Sequence, residues 1–157
     1  MADLYSAQIV GESLKPVIKV ATPAYGGRLR RMRAVLNMAA ASTVTGSGSD
    51  TIAVTTADNV LLARLPSGGS FAFGILTTSA TLGSAVVAIG TNKVHASNGQ
   101  YRAAGTFTTA DTPTLFGLAA AVSGGALSAD TPVYLTCATA NLPTAGTLIV
   151  DLYYSQG

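Results

Sequence analysis

The chain has 157 residues, the ordinary size of one domain and long enough to bury a continuous core without covalent staples. It is 48% hydrophobic and only 10% charged, with a formal net charge of +2, where an ordinary soluble domain has about 25% charged residues. Such a composition argues against a freely dispersed monomer and against a general nucleic-acid binder, and it favours a surface covered by copies of the chain or by another protein.

The mean hydropathy is positive, and Leu65 to Asn92 carries no charge, yet Pro66, Gly68, Gly69, Gly74, Gly83 and Gly90 interrupt that stretch. A spanning helix needs about 20 mainly apolar residues, so no membrane association is expected. The opening Met1 to Ala7 has neither a basic nor an apolar leader pattern, and no secretory signal is expected. A single cysteine, Cys137, excludes an intramolecular disulfide.

In chain order, residues 1–27 are expected to form an N-terminal arm or edge strand that docks, and residues 28–157 a single β-sandwich domain. Arg28 and Arg30 follow Gly26-Gly27 and are placed on the approach to the first strand. In that strand Met32, Ala34, Leu36 and Met38 alternate with Arg31, Arg33, Val35 and Asn37, the period-two signature of a half-buried strand. Thr45 to Ser49 reads as a loop. Leu65-Pro66-Ser67-Gly68-Gly69 is a turn signal, because proline presets φ and glycine tolerates positive φ. Phe71, Phe73 and Ile75, then Ala85, Val87 and Ile89, mark further strands, and Thr91 to Gly99 is a polar loop holding His95.

Ala110-Asp111-Thr112-Pro113 and Ala129-Asp130-Thr131-Pro132 repeat one pattern, with proline at a strand start where no ladder donor is needed. Between them, Leu115 to Val122 is the one candidate for a short helix, ended by Gly124 and Gly125. Val133, Leu135 and Cys137 alternate with Tyr134 and Thr136. The second proline–glycine signal, Leu142-Pro143-Thr144-Ala145-Gly146, implies the same hairpin geometry as the first. Leu148, Val150, Leu152 and Tyr154 then alternate with Thr147, Ile149, Asp151 and Tyr153, giving one face suited to a core. About eight strands follow, and the expected fold is all-β, an antiparallel β-sandwich or jelly roll.

Catalytic chemistry finds little support. Acid/base work needs clustered His, Glu or Asp, and the chain has one His and one Glu, His95 and Glu12. Asp58, Asp111 and Asp130 are of the type that caps turns, no calcium-loop spacing is present, and Cys137 reads as a small core residue. The chain is therefore read as no enzyme, with no cofactor and no metal.

The basic residues are unevenly spread. The first 33 positions hold Lys15, Lys19, Arg28, Arg30, Arg31 and Arg33 against Asp3 and Glu12, a net of +4. The rest has Arg64, Lys93 and Arg102 against five aspartates, a net of −2. These six cations are the candidate partner-binding residues, meeting an acidic surface. The competing interpretation is an exposed strand whose charges merely prevent edge pairing.

Taken together, the opening Met1 to Ser6, Gly26-Gly27-Arg28-Leu29-Arg30-Arg31, Leu65 to Gly69, Thr81-Leu82-Gly83-Ser84, Tyr101 to Ala104 with Phe107-Thr108, Leu142 to Leu148 and Tyr153-Tyr154-Ser155 resemble small structural proteins of tailed-bacteriophage particles, of the capsid decoration or cement type. The resemblance implies a β-sandwich made in the bacterial cytoplasm and mounted on the virion, often as a homotrimer. Its partner would be the major capsid protein, whose subunits it bridges. The same resemblance extends to head-tail connector and fibre proteins. The alternative from another class is a glycan-binding β-sandwich, for which Tyr25, Tyr101, Tyr134 and Tyr153 are the candidate platform.

Overall fold

The computed structural model describes residues 28–38, 41–42, 51–52 and 54–156. Ten strands appear in chain order: β1 (Arg28–Asn37), β2 (Ala41–Ser42), β3 (Thr51–Ile52), β4 (Asn59–Leu65), β5 (Gly69–Thr78), β6 (Val86–Gly90), β7 (Arg102–Thr106), β8 (Thr114–Phe116), β9 (Thr131–Ala138) and β10 (Thr147–Gln156). A 3-10 turn spans His95–Ser97, and α1 is a single helical turn at Ala119–Val122. The helix expected within Leu115 to Val122 is thus cut short, because Leu115 and Phe116 extend into β8 and pair with β5. Among the described residues no helix is long and apolar enough to cross a membrane.

Two four-stranded antiparallel sheets, ordered β1-β10-β5-β8 and β4-β9-β6-β7, form a β-sandwich, with β2 and β3 pairing separately. When that short pair is left aside, the long strands nest. The first pairs with the last, the second with the seventh, the third with the sixth and the fourth with the fifth. The chain is wound as one long antiparallel hairpin folded over itself, and β10·β5 and β9·β6 contacts close the two sheets.

This winding corrects the reading of the two proline–glycine turns. Each joins strands of opposite sheets, β4 to β5 and β9 to β10, so they are crossovers between sheets and not hairpins. Gly68 (φ 79°) and Gly146 (φ 97°) take the left-handed conformation in the two turns, which a side chain would strain.

The core follows the expected alternation. Leu148, Val150 and Leu152 on β10 are fully buried, as are Val133 and Leu135 on β9, and Cys137 packs with them at 1% exposure. Strand β5 departs from strict period two. A bulge between the Tyr153 and Tyr154 pairings sets Phe71 opposite buried Tyr154, while Phe73 lies opposite Tyr153 on the outer face. Phe71 consequently packs against Tyr101 inside the sandwich, with ring centroids 4.3 Å apart and the rings tilted by 34°. One inserted residue sends Phe71 and Phe73 to opposite faces.

The aspartates expected at turns are there. One Asp58 carboxylate oxygen accepts hydrogen bonds from the Thr55 amide (2.8 Å) and the Thr55 hydroxyl (2.7 Å), which hold the carboxyl below its ordinary range. Asp130 accepts from the Ser67 amide at 2.9 Å, tying the β9 approach to the β4–β5 crossover. Asp111 stands at φ 54° just before β8.

Candidate functional site

Four of the six cations singled out in the sequence lie on β1, while Lys15 and Lys19 fall outside the described residues, as do Glu12 and Tyr25. Arg28 and Arg30 belong to β1 itself and not to an arm before it, because Arg28 already pairs with Gln156 and Arg30 with Tyr154. Side chains on a strand alternate between faces, so the four arginines split into two rows. Arg28 and Arg30 share the core-side row with Met32, Ala34 and Leu36, but lie past the end of the core and are exposed. Arg31 and Arg33 share the outer row with Leu29 and Val35.

The outer row is not uniform in its chemistry. Arg33 stands directly opposite Asp151 on β10 and donates from Nε to Oδ1 and from Nη2 to Oδ2, both at 2.8 Å. This planar fork raises the arginine pKa, chiefly through the hydrogen bonds, and the same bonds hold the Asp151 carboxyl below its ordinary range. Asp151 is a buried aspartate that the sequence offered only as part of a mixed face. Arg33 is thereby engaged within the chain.

The remaining cations divide the same way. Arg102 on β7 donates to the carbonyls of Val87, Ala103, Gly105 and Thr106, and partial burial lowers its pKa. Lys93 sits 5.4 Å from the Tyr134 ring centroid. Among the described residues, Arg28, Arg30 and Arg31 on β1 and Arg64 on β4 make no hydrogen bond or ion pair through their side chains, so three of the four uncommitted arginines gather at one end of β1.

Around those arginines the outer face of the β1-β10-β5-β8 sheet is apolar. The strand registers align Val35, Ile149 and Thr77 in one row; Arg33, Asp151, Ile75 and Leu115 in the next; and Arg31, Tyr153 and Phe73 in a third. Leu29, Val35 and Leu115 are 56%, 63% and 68% exposed, and the Phe73 and Tyr153 rings stack at 4.5 Å. The opposite sheet differs, because its outer face is roofed by the chain's own 91–100 loop. There Asn98 donates through Nδ2 to the Tyr134 carbonyl and the Thr136 hydroxyl, leaving both residues buried. The middle of one sheet is covered, although Leu61 on its β4 edge is 40% exposed, and the other sheet presents apolar side chains beside free arginines.

The tyrosines do not assemble a sugar platform among the described residues. Tyr101 is buried against Phe71, Tyr134 lies under Lys93, and Tyr153 is half-buried on the far sheet. An apolar recess of about 390 Å³ opens beside α1, lined by Phe71, Tyr101, Leu118, Ala121 and Leu127. It brings no set of acid, base or nucleophile together. His95 stands in its turn away from this recess lining, the Cys137 thiol is buried with its pKa pushed up by desolvation, and no cluster of metal-ligating side chains occurs among the described residues.

No protein-family profile matches the sequence, and no curated protein matches it. The fold has solved likenesses. A chain of the cyanophage Pam1 capsid asymmetric unit superimposes with a TM-score of 0.60 at 18% identity, covering 85% of this chain and 88% of that one. A chain of the capsid of Ralstonia phage GP4 gives a TM-score of 0.53 at 18% identity, covering 85% and 86%. At such identities the likeness is one of fold.

Proposed function

We propose that this chain is a structural protein of a tailed-phage particle, a decoration protein mounted on the capsid shell, where it stabilises the head by bridging shell subunits. The observation that carries the reading is the match in fold to a chain of a phage capsid, which spans 88% of that chain and 85% of this one. Two chains matched so fully are of similar size. The nested winding of eight strands into two sheets supports reading the sandwich as a jelly roll, an architecture used in viral capsids.

The surface chemistry supports the same role. A chain with 10% charged residues and an unroofed apolar sheet face is suited to many-copy assembly. In this reading the protein is made in the host cytoplasm, resides in the virion, works as a homo-oligomer with a trimer favoured, and needs no catalytic group or cofactor. The β1 arginines, with Lys15 and Lys19, dock it on the acidic surface of the major capsid protein.

The test is co-sedimentation with purified shells lacking this protein, at low and high salt. The parent should bind, and the variant with Arg28, Arg30, Arg31 and Arg33 all changed to alanine should bind more weakly, with the difference largest at low salt. A folded fourfold variant that binds like the parent at both salt levels contradicts the docking role and leaves edge protection as the function of these arginines.

A further inference from the structure

β1 is the longest edge strand among the described residues, with ten residues against seven for β4, five for β7 and three for β8. Among the described residues it pairs only with β10. In an antiparallel ladder alternate residues aim their N–H and C=O groups to each side, so between Arg28 and Leu36 every second residue presents a donor and acceptor that no described strand pairs. The core is also thinner here. Met32, Ala34 and Leu36 are only half-buried, although their cross-strand partners Leu152, Val150 and Leu148 are fully buried.

We propose that the free edge of β1 receives an extended acidic segment of a second protein as a fifth strand of the β1-β10-β5-β8 sheet. Backbone bonds would hold such a strand, and alternate side chains would select it. Apolar residues on its inner side would finish covering Met32, Ala34 and Leu36, carboxylates at the end of that same side would meet Arg28 and Arg30, and carboxylates on its outer side would meet Arg31, none of which has a side-chain hydrogen-bond partner among the described residues.

Charge decides among the occupants. A second copy of β1 paired in parallel would set arginine rows against one another, where like charges repel, and paired antiparallel it would bring no carboxylate to them, because β1 contains no acid. The apolar stretch Leu14 to Val20 of a neighbouring copy brings Lys15 and Lys19. The described aspartates of this chain stand at turns or, as Asp151, inside the fork, so none is offered on an open strand. The described part of the chain thus supplies no complementary segment, and the occupant proposed is another protein. Identifying it with the shell rests on the docking reading above, but strand addition can fail independently of it.

The experiment uses a synthetic ten-residue Val/Glu peptide in which the two residues alternate over the first six positions and the last four are Glu, to lie antiparallel beside Arg28 to Arg31, a counterpart with Lys for Glu, and the Val/Glu peptide N-methylated on alternate residues to remove the donors of one edge. Amide exchange of the parent protein is followed by NMR at low salt. The Val/Glu peptide should slow exchange at alternate β1 residues by roughly tenfold or more, while the Lys and N-methylated peptides should not. Changing Arg28, Arg30 and Arg31 to glutamate should transfer the protection to the Lys peptide. No β1 protection by the Val/Glu peptide, or equal protection by the Glu and Lys peptides, overturns the proposal. Exchange mass spectrometry on shell-bound protein separates the two readings. Binding with β1 unprotected contradicts strand addition and leaves docking standing, whereas absence of binding contradicts docking itself.

Discussion

Arg33 and Asp151, 118 positions apart in sequence, are direct cross-strand neighbours joined by two 2.8 Å hydrogen bonds, and the carboxylate is buried while the arginine side chain stays 47% exposed. The fork ties the edge strand β1 to β10 and lets an acid sit within an otherwise apolar sheet face. A paired buried carboxylate is costly to leave alone, so the pair acts as a register lock more than as a source of net stability.

The pair sets a pH dependence. The folded pKa of Asp151 is depressed from its ordinary value of 3.8, chiefly by the Arg33 hydrogen bonds. A depressed carboxylate contributes stability that is present above that ordinary value and is lost as pH falls through the folded pKa. Asp151→Asn should therefore lower the urea midpoint at neutral pH, and the gap to the parent should narrow as pH drops below 3.8. A gap that stays constant across that range contradicts the assignment.

The core alternation on β10 predicts sharply graded costs. Leu148→Ala and Leu152→Ala should each destabilise by about 2–5 kcal/mol in urea unfolding, whereas Val35→Ala on the exposed outer row should stay within about 0.5 kcal/mol of the parent in a non-assembling state. Equal costs for the three would place the core on the wrong face.

Gly74 is kept small by one ring. A Cβ there would fall 2.1 Å from Phe116 Cζ, across the β5·β8 register. Gly74→Ala should cost about 1–3 kcal/mol through overpacking, and Phe116→Leu should relieve part of that cost in a double-mutant cycle. Strict additivity of the two changes would show that the ring is not the obstacle.

Cys137 should be inert. Its thiol is 1% exposed, donates to the Thr55 carbonyl and has its pKa raised by burial, and a thiol reacts as its thiolate. Labelling by a thiol reagent should be slow in the native protein and rapid in denaturant. Fast native labelling would contradict the burial.

Much of this was legible in the sequence, and the rest was hidden for identifiable reasons. Alternation at Leu148, Val150 and Leu152, and at Met32, Ala34 and Leu36, marks strand faces because side chains alternate with period two. It cannot mark a bulge, so Phe71 and Phe73 read as one face although they lie on two. Turn chemistry at Pro66-Gly68 and Pro143-Gly146 locates the reversals but does not say which sheet receives the next strand. That choice depends on pairing with strands far away in sequence. The arginine cluster was visible as composition, whereas the commitment of Arg33 to Asp151 needed the β1·β10 register, which no local signal carries.

The most direct measurement is quantitative mass spectrometry joined to cryo-imaging of particles purified from cells that carry the gene for this chain. The account predicts the protein in many copies per particle, as eight-stranded sandwiches on the outer shell with the β1-β10-β5-β8 sheet toward shell protein. Particles assembled without any copy of the chain, or with it confined to a few copies away from the shell, would contradict the proposed role.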